Sequence, residues 1–245
     1  MAIVPLQEIS CLTNLEYLHL FDISGSEPVN FELLGVEHMK KLSTLKLAAN
    51  SSVSLPEDFY SYILQVRHLS LTSFNLPKMA SLSMLANLKQ LILFEVGNIN
   101  HDDLFELPNL EVLKITFDNN EAVAANLKFK PTLAEKCKKL RELVLASCTF
   151  SPESCDAIAK LPNLEYLSVP QSRLLEMRYL YAFAAMPSLR TLNLSYNINA
   201  PWSITWDSGF FQQIVAKAKV LRTVYLIGFS QYDSRKSQND SVEFV

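Results

Sequence analysis

The stretch Leu140-Arg141-Glu142-Leu143-Val144-Leu145 carries leucine at its first, fourth and sixth places. The same frame, with an occasional valine or isoleucine, recurs along the whole chain of 245 residues. Its copies begin at Leu15, Leu42, Val66, Leu88, Leu110, Leu140, Leu164, Leu189 and Leu221. The starts are separated by 27, 24, 22, 22, 30, 24, 25 and 32 residues. Nine copies in one phase indicate a repeat architecture.

The spacing within each copy predicts a short strand. The fourth and sixth places are two residues apart, so their side chains share one face, and the residue between them points to the other face. The residues between copies return the chain, so that the next strand lies parallel to the last. A single coil cannot bury its own leucines, and stacking of the coils therefore produces one continuous core.

On these residues the chain resembles the leucine-rich-repeat family, whose period is about 20–29 residues. The resemblance covers essentially the full chain. It implies an α/β solenoid of about nine repeats, with a curved parallel sheet on a concave face and short helices and turns on a convex face. It also implies a function in binding other proteins.

The copy from Cys137 to Cys148 resembles the cysteine-containing repeats of F-box proteins and the ribonuclease-inhibitor-like class of intracellular repeats. A helix is expected after it, because Ser151 suits an N-cap, Pro152 the first helical turn and Glu153 the positive end of the helix dipole. The copies of 22 residues are too short for long helices, and brief turns are expected there.

In this family an asparagine after each strand turns inward and binds main-chain groups of the loop. Asn50 and Asn197 take that place after two copies, and Cys148 takes it after another. The other copies place Ile23, Phe74, Val96, Asp118, Ser172 and Phe229 there. A broken asparagine ladder is therefore expected.

The repeats predict one solenoid over residues 1–229, in which residues 1–14 form a partial N-terminal coil or cap. Residues 230–245 are polar and predict a flexible tail. No F-box segment is recognised before the repeats. Substrate recognition for a ubiquitin ligase is thus an alternative that requires a longer chain or a second subunit.

Composition disfavours several classes of function. The formal net charge is -3, so there is no basic excess to neutralise a run of phosphates, and no nucleic-acid partner is expected. No apolar run approaches the length of a membrane span, and no secretory signal is recognised. The four cysteines form no C-x-x-C pair. These features predict an intracellular protein, cytoplasmic or nuclear.

No catalytic, metal or cofactor site is predicted. Phosphate-binding glycine motifs and H-E-x-x-H are absent from the sequence. His19 and His68 fall two coils apart, about 10 Å at the usual strand spacing, which is too far for a shared metal ion. Cys137, Cys148 and Cys155 are expected in the core. We therefore expect a protein without enzymatic activity.

The third, fifth and seventh places of each copy are predicted to face the concave side. Aromatic and aliphatic side chains are frequent there, and an exposed apolar stripe marks a protein-binding surface. The predicted binding residues are Tyr17, His19, Phe21, His68, Ile92, Phe94, Lys114, Glu142, Val144, Tyr166, Asn193 and Tyr225. The sequence thus favours an interaction scaffold that binds a protein partner, either alone or as a subunit of a larger complex. The alternatives are the ubiquitin-ligase role and the ligand-sensing repeats of a larger receptor or effector.

Overall fold

The computed structural model describes residues 9, 11–23, 35–78, 81–100, 104, 106–117, 125–172, 177–195, 208–226 and 243–244. The chain divides into two compact units, Met1–Leu110 and Glu111–Val245. Each unit is built from consecutive copies of the leucine frame, and each is described by itself.

Unit 1 (Met1–Leu110) is a parallel sheet in which the strands follow one another in sequence order. Its strands are β1 (Tyr17–Ile23), β2 (Thr44–Ser54), β3 (His68–Asn75) and β4 (Gln90–Phe94). Short 3₁₀ turns at Val36–His38, Phe59–Ile63 and Leu82–Met84 return the chain between strands. The turn at Leu82–Met84 lies between copies 22 residues apart and confirms the prediction of brief turns.

Unit 2 (Glu111–Val245) is also built on a parallel sheet, in which the strands named next lie side by side in chain order. Its strands are β5 (Val112–Thr116), β7 (Glu142–Ala146), β9 (Tyr166–Ser168), β10 (Thr191–Asn193), β11 (Thr223–Tyr225) and β12 (Glu243–Phe244). A separate pair joins β6 (Ala125–Leu127) and β8 (Cys148–Phe150). Its helices are α1 (Leu133–Lys136), α2 (Pro152–Ala159), α3 (Met177–Ala184) and α4 (Ser208–Lys217).

The strands pair frame place to frame place. In unit 1, Leu18 lies opposite Leu45, Leu45 opposite Leu69, and Leu69 opposite Leu91. In unit 2 the same register joins the fourth places of successive copies: Leu113, Leu143, Leu167, Leu192 and Val224. The fourth-place side chains are buried in both units. The period-two pattern of the frame is therefore the pattern of the core.

A further apolar place lies three residues before each frame. It is buried in seven copies, as Met39, Ile63, Leu85, Leu107, Cys137, Leu161 and Met186. Most of these residues also accept a main-chain hydrogen bond from the first residue of the frame, for example Leu42 N to Met39 O at 2.9 Å. This tight turn closes each coil just before its strand begins.

Helix α2 begins as the sequence predicts. The Ser151 hydroxyl accepts a hydrogen bond from the Ser154 N–H at 3.3 Å, and Pro152 occupies the first helical turn. The pKa of Glu153 is lowered by a hydrogen bond from its own main-chain N–H and by the side chain of Ser151. These contacts satisfy amide groups that the first turn of a helix otherwise leaves unpaired.

The predicted inward position of Asn50 is wrong. Strand β2 continues through Asn50 to Ser54, so Asn50 stays exposed, and its Nδ2 donates to Asp22 Oδ1 at 2.7 Å. Ala49 is buried beside it. Asn197, the second asparagine of the predicted ladder, lies outside the described residues.

Among the other described residues at this place, Ile23 is half-buried and four turn inward, whereas Asp118 and Phe229 lie outside the described residues. Phe74, Val96 and Cys148 are buried. Ser172 is buried too, and its hydroxyl donates to Leu145 O at 2.9 Å and accepts from the Cys148 N–H at 3.2 Å. A serine thus makes the loop contacts that the family assigns to asparagine.

Five copies have a left-handed residue directly before this place. Asp22, Ser73, Glu95, Ser147 and Gln171 have φ between 52° and 59°, and each is the eighth residue of its frame. Left-handed backbone is unfavourable for residues with a Cβ atom, by about 1–2 kcal/mol each. The same reversal therefore occurs at or near the ends of five strands, at a local energetic cost.

Within the predicted tail, Glu243 and Phe244 pair with Thr223 and Val224. The rest of residues 230–245 lies outside the described part, so the tail and the proposed boundary at 229 stay predictions. The N-terminal residues 1–8 also lie outside it.

Candidate functional site

The third and fifth places of the frame, and the seventh place in β1 and β4, lie on the face of each sheet opposite the leucines, which we call the open face. All twelve residues predicted to bind a partner lie on this face, and none is buried. Tyr17, His19, Phe21 and Phe94 are exposed, and the other eight are half-buried. The structure distributes them over the open faces of the two units, six in each.

In unit 1, β1 presents an aromatic cluster. Tyr17 is 48% exposed and Phe21 is 73% exposed. The rings of His19 and Phe21 are in edge contact, with centroids 5.8 Å apart. Lys46 on β2 places its ammonium group 5.4 Å from the centroid of the Tyr17 ring. Cation–π attraction of this kind orders an exposed aromatic side chain without covering it.

The remaining predicted residues of unit 1 lie on β3 and β4. His68 Nδ1 is 3.3 Å from the hydroxyl of Thr44 on the neighbouring strand. Ile92 and Phe94 share the open face of β4, and Phe94 is 42% exposed. Strand β2 separates β1 from β3, so His19 and His68 are not neighbours.

In unit 2, the predicted residues follow five consecutive strands of the sheet. Lys114 Nζ on β5 contacts Glu142 Oε1 on β7 at 2.6 Å. Val144 lies opposite Lys114, and Tyr166 on β9 lies opposite Glu142. The open face of unit 2 therefore combines an ion pair with flanking apolar and aromatic groups.

Asn193 and Tyr225 complete this surface. They lie opposite each other on β10 and β11. The Asn193 Oδ1 accepts a hydrogen bond from the Ser195 N–H at 2.9 Å, which fixes the turn after β10. The asparagine oxygen therefore forms a hydrogen bond within the fold.

One contributor to the open face of unit 1 was not among the predicted residues. Lys46 is the fifth residue of the second copy, so the register alone would have placed it on the open face, opposite His19. A row of polar side chains at the last position before the frame was also missed. Asn87, Asn109 and Asn163 donate to the carbonyls of Leu64, Ala86 and Lys138 in the preceding coil, at 3.1, 2.8 and 2.7 Å. Ser188 does the same to Pro162 at 2.8 Å.

The buried cysteines have the environment of core residues. Burial raises the pKa of Cys148 from 9.0 to about 12, although the hydrogen bond with Ser172 lowers it. All four cysteines are free thiols, and only Cys11 is exposed. Among the described residues, no cluster of histidine, cysteine and acidic side chains could hold a metal ion.

In the same part of the chain, no helix has the length and apolar character needed to cross a membrane.

No protein-family model and no curated protein matches the chain. Solved structures do resemble it. A plant peptide hormone receptor, RGFR1 in complex with RGF2, aligns with a TM-score of 0.57 and 22% identity. The alignment covers 88% of this chain and 32% of that one. The mouse RP105/MD-1 complex gives a TM-score of 0.57 and 22% identity, covering 89% of this chain and 35% of that chain.

The fold is that of a leucine-rich-repeat solenoid. The prediction of an α/β repeat architecture is thus confirmed. The chain spans about a third of the length of these two structures.

Proposed function

We propose that this leucine-rich-repeat chain is a non-enzymatic interaction module that holds a protein partner against its open face. The observation that carries the proposal is the exposure of Tyr17, Phe21 and Phe94 on a strand face. Side chains on a solvent-facing strand are usually polar, whereas aromatic anchors dominate protein-binding surfaces. The three large apolar side chains on one face of unit 1 therefore favour a state in which a partner covers them.

Unit 2 supplies a different surface chemistry. Lys114 and Glu142 form a pair of opposite charges with no net charge, and Tyr166 and Tyr225 lie farther along the sheet on β9 and β11. Charges that already satisfy each other add little net affinity but penalise a wrongly placed partner. We propose that the open face of unit 1 binds mainly through apolar contact and that the charges on the open face of unit 2 favour one orientation of whatever binds there.

The solved structures support this role only through their fold. One is a receptor in complex with RGF2, and the other is a complex of RP105 with MD-1. Both are leucine-rich-repeat structures solved with a bound protein or peptide, so the fold is compatible with partner binding.

The test is a comparison of two double variants. Phe21→Asp with Phe94→Asp places charge on the open face. Leu64→Asp with Met84→Asp is the matched control, because these side chains are 44% and 46% exposed but lie off that face. Partners are captured from the native source, identified, and measured against purified protein. We expect the first variant to lose binding by at least tenfold and the control to keep it. Equal binding by both folded variants would refute the open-face proposal.

We further propose an intracellular location, supported by four free thiols in a chain with three buried cysteines. Imaging of a tagged chain in the native cell tests this, and a secreted or cell-surface signal contradicts it.

The capture of partners from the native source also separates the alternative functions. Ligase subunits among the partners would favour the ubiquitin-ligase role, and a longer native chain would favour a receptor or effector.

A further inference from the structure

A groove of about 700 Å³ runs along unit 2 at the edge where its strands begin. It is distinct from the open face, because its charged residues come from the second frame place and the two positions before the frame. Six basic side chains line it: Lys138, Lys139, Arg141, Arg190, Lys219 and Arg222. Two acidic side chains, Glu111 and Glu165, also line it. This basic groove therefore carries a net of four positive charges in a chain whose net charge is -3.

The backbone holds the second-place residues in one row. The Glu111 carbonyl accepts from Arg141 N at 2.8 Å, Arg141 O accepts from Glu165 N at 2.8 Å, and the pattern continues through Arg190 to Arg222. The row thus follows five neighbouring strands. At about 4.8 Å per strand it spans about 19 Å, the length of about six residues of extended peptide.

The charges along this row are not balanced. Glu165 lies 3.9 Å from Arg141 and offsets it. Arg190 and Arg222 occupy adjacent strands, and Lys219 lies just before Arg222. These three side chains, and Lys138 at the other end, are exposed and form no ion pair within the described part of the chain. Like charges held this close repel one another, and an anionic ligand would relieve that repulsion.

The lining also indicates which kind of anion fits. No aromatic side chain lines the groove, so it lacks a platform on which nucleic-acid bases stack. At the end near Arg222 the lining includes Pro187 and Val220, and Val220 is 40% exposed. Guanidinium groups bind carboxylates through paired hydrogen bonds.

We propose that the basic groove binds an acidic segment of a protein partner, about six residues long and extended, with an apolar side chain against Val220. Carboxylates of the segment lie between Arg190 and Arg222. The proposal does not depend on the open face, because none of the groove residues belongs to it.

The experiment measures fluorescence anisotropy of a labelled peptide of six glutamates and a terminal leucine at low salt. The glutamine version of the peptide is the charge control. The charge-reversed protein carries Arg190→Glu and Arg222→Glu. The matched variant carries Arg67→Glu and Lys89→Glu, the same frame place and the same charge change in unit 1.

We expect the glutamate peptide to bind, the glutamine peptide to bind at least tenfold more weakly, and added salt to weaken binding. Arg190→Glu with Arg222→Glu should weaken binding at least tenfold, and the unit 1 variant less than twofold. If the charge-reversed protein does not fold, Arg190→Gln with Arg222→Gln replaces it, with at least fivefold weakening expected.

Three results would overturn the proposal. They are no binding of the glutamate peptide, equal weakening by the unit 1 variant, and stronger competition by a ten-residue oligothymidylate or by inorganic phosphate than by the unlabelled peptide. The oligothymidylate result would indicate a nucleic-acid site instead, and the phosphate result a small-anion site.

Discussion

The ammonium group of Lys114 lies 2.6 Å from Oε1 of Glu142, and the pair joins strands β5 and β7 across the open face of unit 2. Both side chains are about one-third exposed. A pair at this depth is partly shielded from water, so its coupling should exceed that of a fully exposed pair. A double-mutant cycle of Lys114→Ala and Glu142→Ala is expected to give about 0.5–1 kcal/mol of coupling in the free energy of unfolding.

The neighbouring pair Arg141–Glu165 is the control for this cycle. Its atoms are 3.9 Å apart, and its side chains are 68% and 45% exposed. We expect less coupling there, and we expect added salt to reduce both values. Equal coupling in the two pairs would show that burial on the open face contributes nothing to the Lys114–Glu142 contact.

The polar side chains just before the frame stabilise the contact between successive coils. Asn163 Nδ2 donates to the Lys138 carbonyl at 2.7 Å. Replacement by alanine leaves that carbonyl without this donor, so Asn163→Ala should lower the free energy of unfolding by about 0.5–1.5 kcal/mol. Urea denaturation followed by circular dichroism measures this.

Asn14 is the matched control, because it occupies the same place before the first frame. Its side chain makes no hydrogen bond within the described residues. Asn14→Ala should therefore change stability by less than about 0.5 kcal/mol. If the two variants lose the same stability, the bond to the preceding coil is not what stabilises this position.

The left-handed residues at the strand ends offer a stabilising substitution. Glu95 has φ of 52° and an exposed side chain. Glycine adopts this conformation without the Cβ penalty but loses more entropy on folding. Glu95→Gly should raise the free energy of unfolding by about 0.5 kcal/mol.

Glu16→Gly provides the comparison, because Glu16 is exposed and is not among the residues with positive φ. There the entropy term acts alone, and stability should fall by about 0.5–1 kcal/mol. The two substitutions are thus predicted to change the free energy of unfolding in opposite directions. Two losses of equal size would contradict this prediction.

The sequence predicted the register of both sheets because one spacing rule repeats. Leu45 and Leu69 pair because each is the fourth residue of its frame, and a slip by one residue would expose both. The same rule placed Tyr17, Phe21 and Phe94 on the open face. The rule failed at Asn50, where β2 continues instead of turning. Asn50 there contacts Asp22, which lies 28 positions away in the sequence.

The basic groove was harder to predict for a related reason. In the sequence, the residues at the second frame place carry charges of both signs, as Arg141, Glu165, Arg190 and Arg222. The ion pair with Glu165 offsets Arg141, whereas Arg190 and Arg222 lie next to each other. Whether two such arginines form a cluster depends on which coils stack and on the residues between them. The asparagines at 87, 109 and 163, in contrast, precede a frame leucine each time and could have been predicted.

The buried thiol of Cys148 makes stability depend on pH in the alkaline range. Burial raises its pKa to about 12, whereas an unfolded thiol has its ordinary value of 9.0. The unfolded chain thus loses its proton first as pH rises. The stabilisation from the neutral buried thiol is complete below pH 9 and is lost progressively between pH 9 and about 12. Wild type should therefore lose more stability between pH 8 and pH 10.5 than Cys148→Ala, when both are unfolded with urea.

The comparison with Cys148→Ala isolates this thiol, because lysine and tyrosine side chains that titrate in the same range are common to both proteins. Thiol reactivity gives a second measurement. At pH 8, Ellman's reagent should modify the exposed Cys11 rapidly, and Cys137, Cys148 and Cys155 only at the rate at which the fold opens. Identical pH dependence in the two proteins, together with rapid modification of Cys148 in the folded chain, would contradict its assignment to the core.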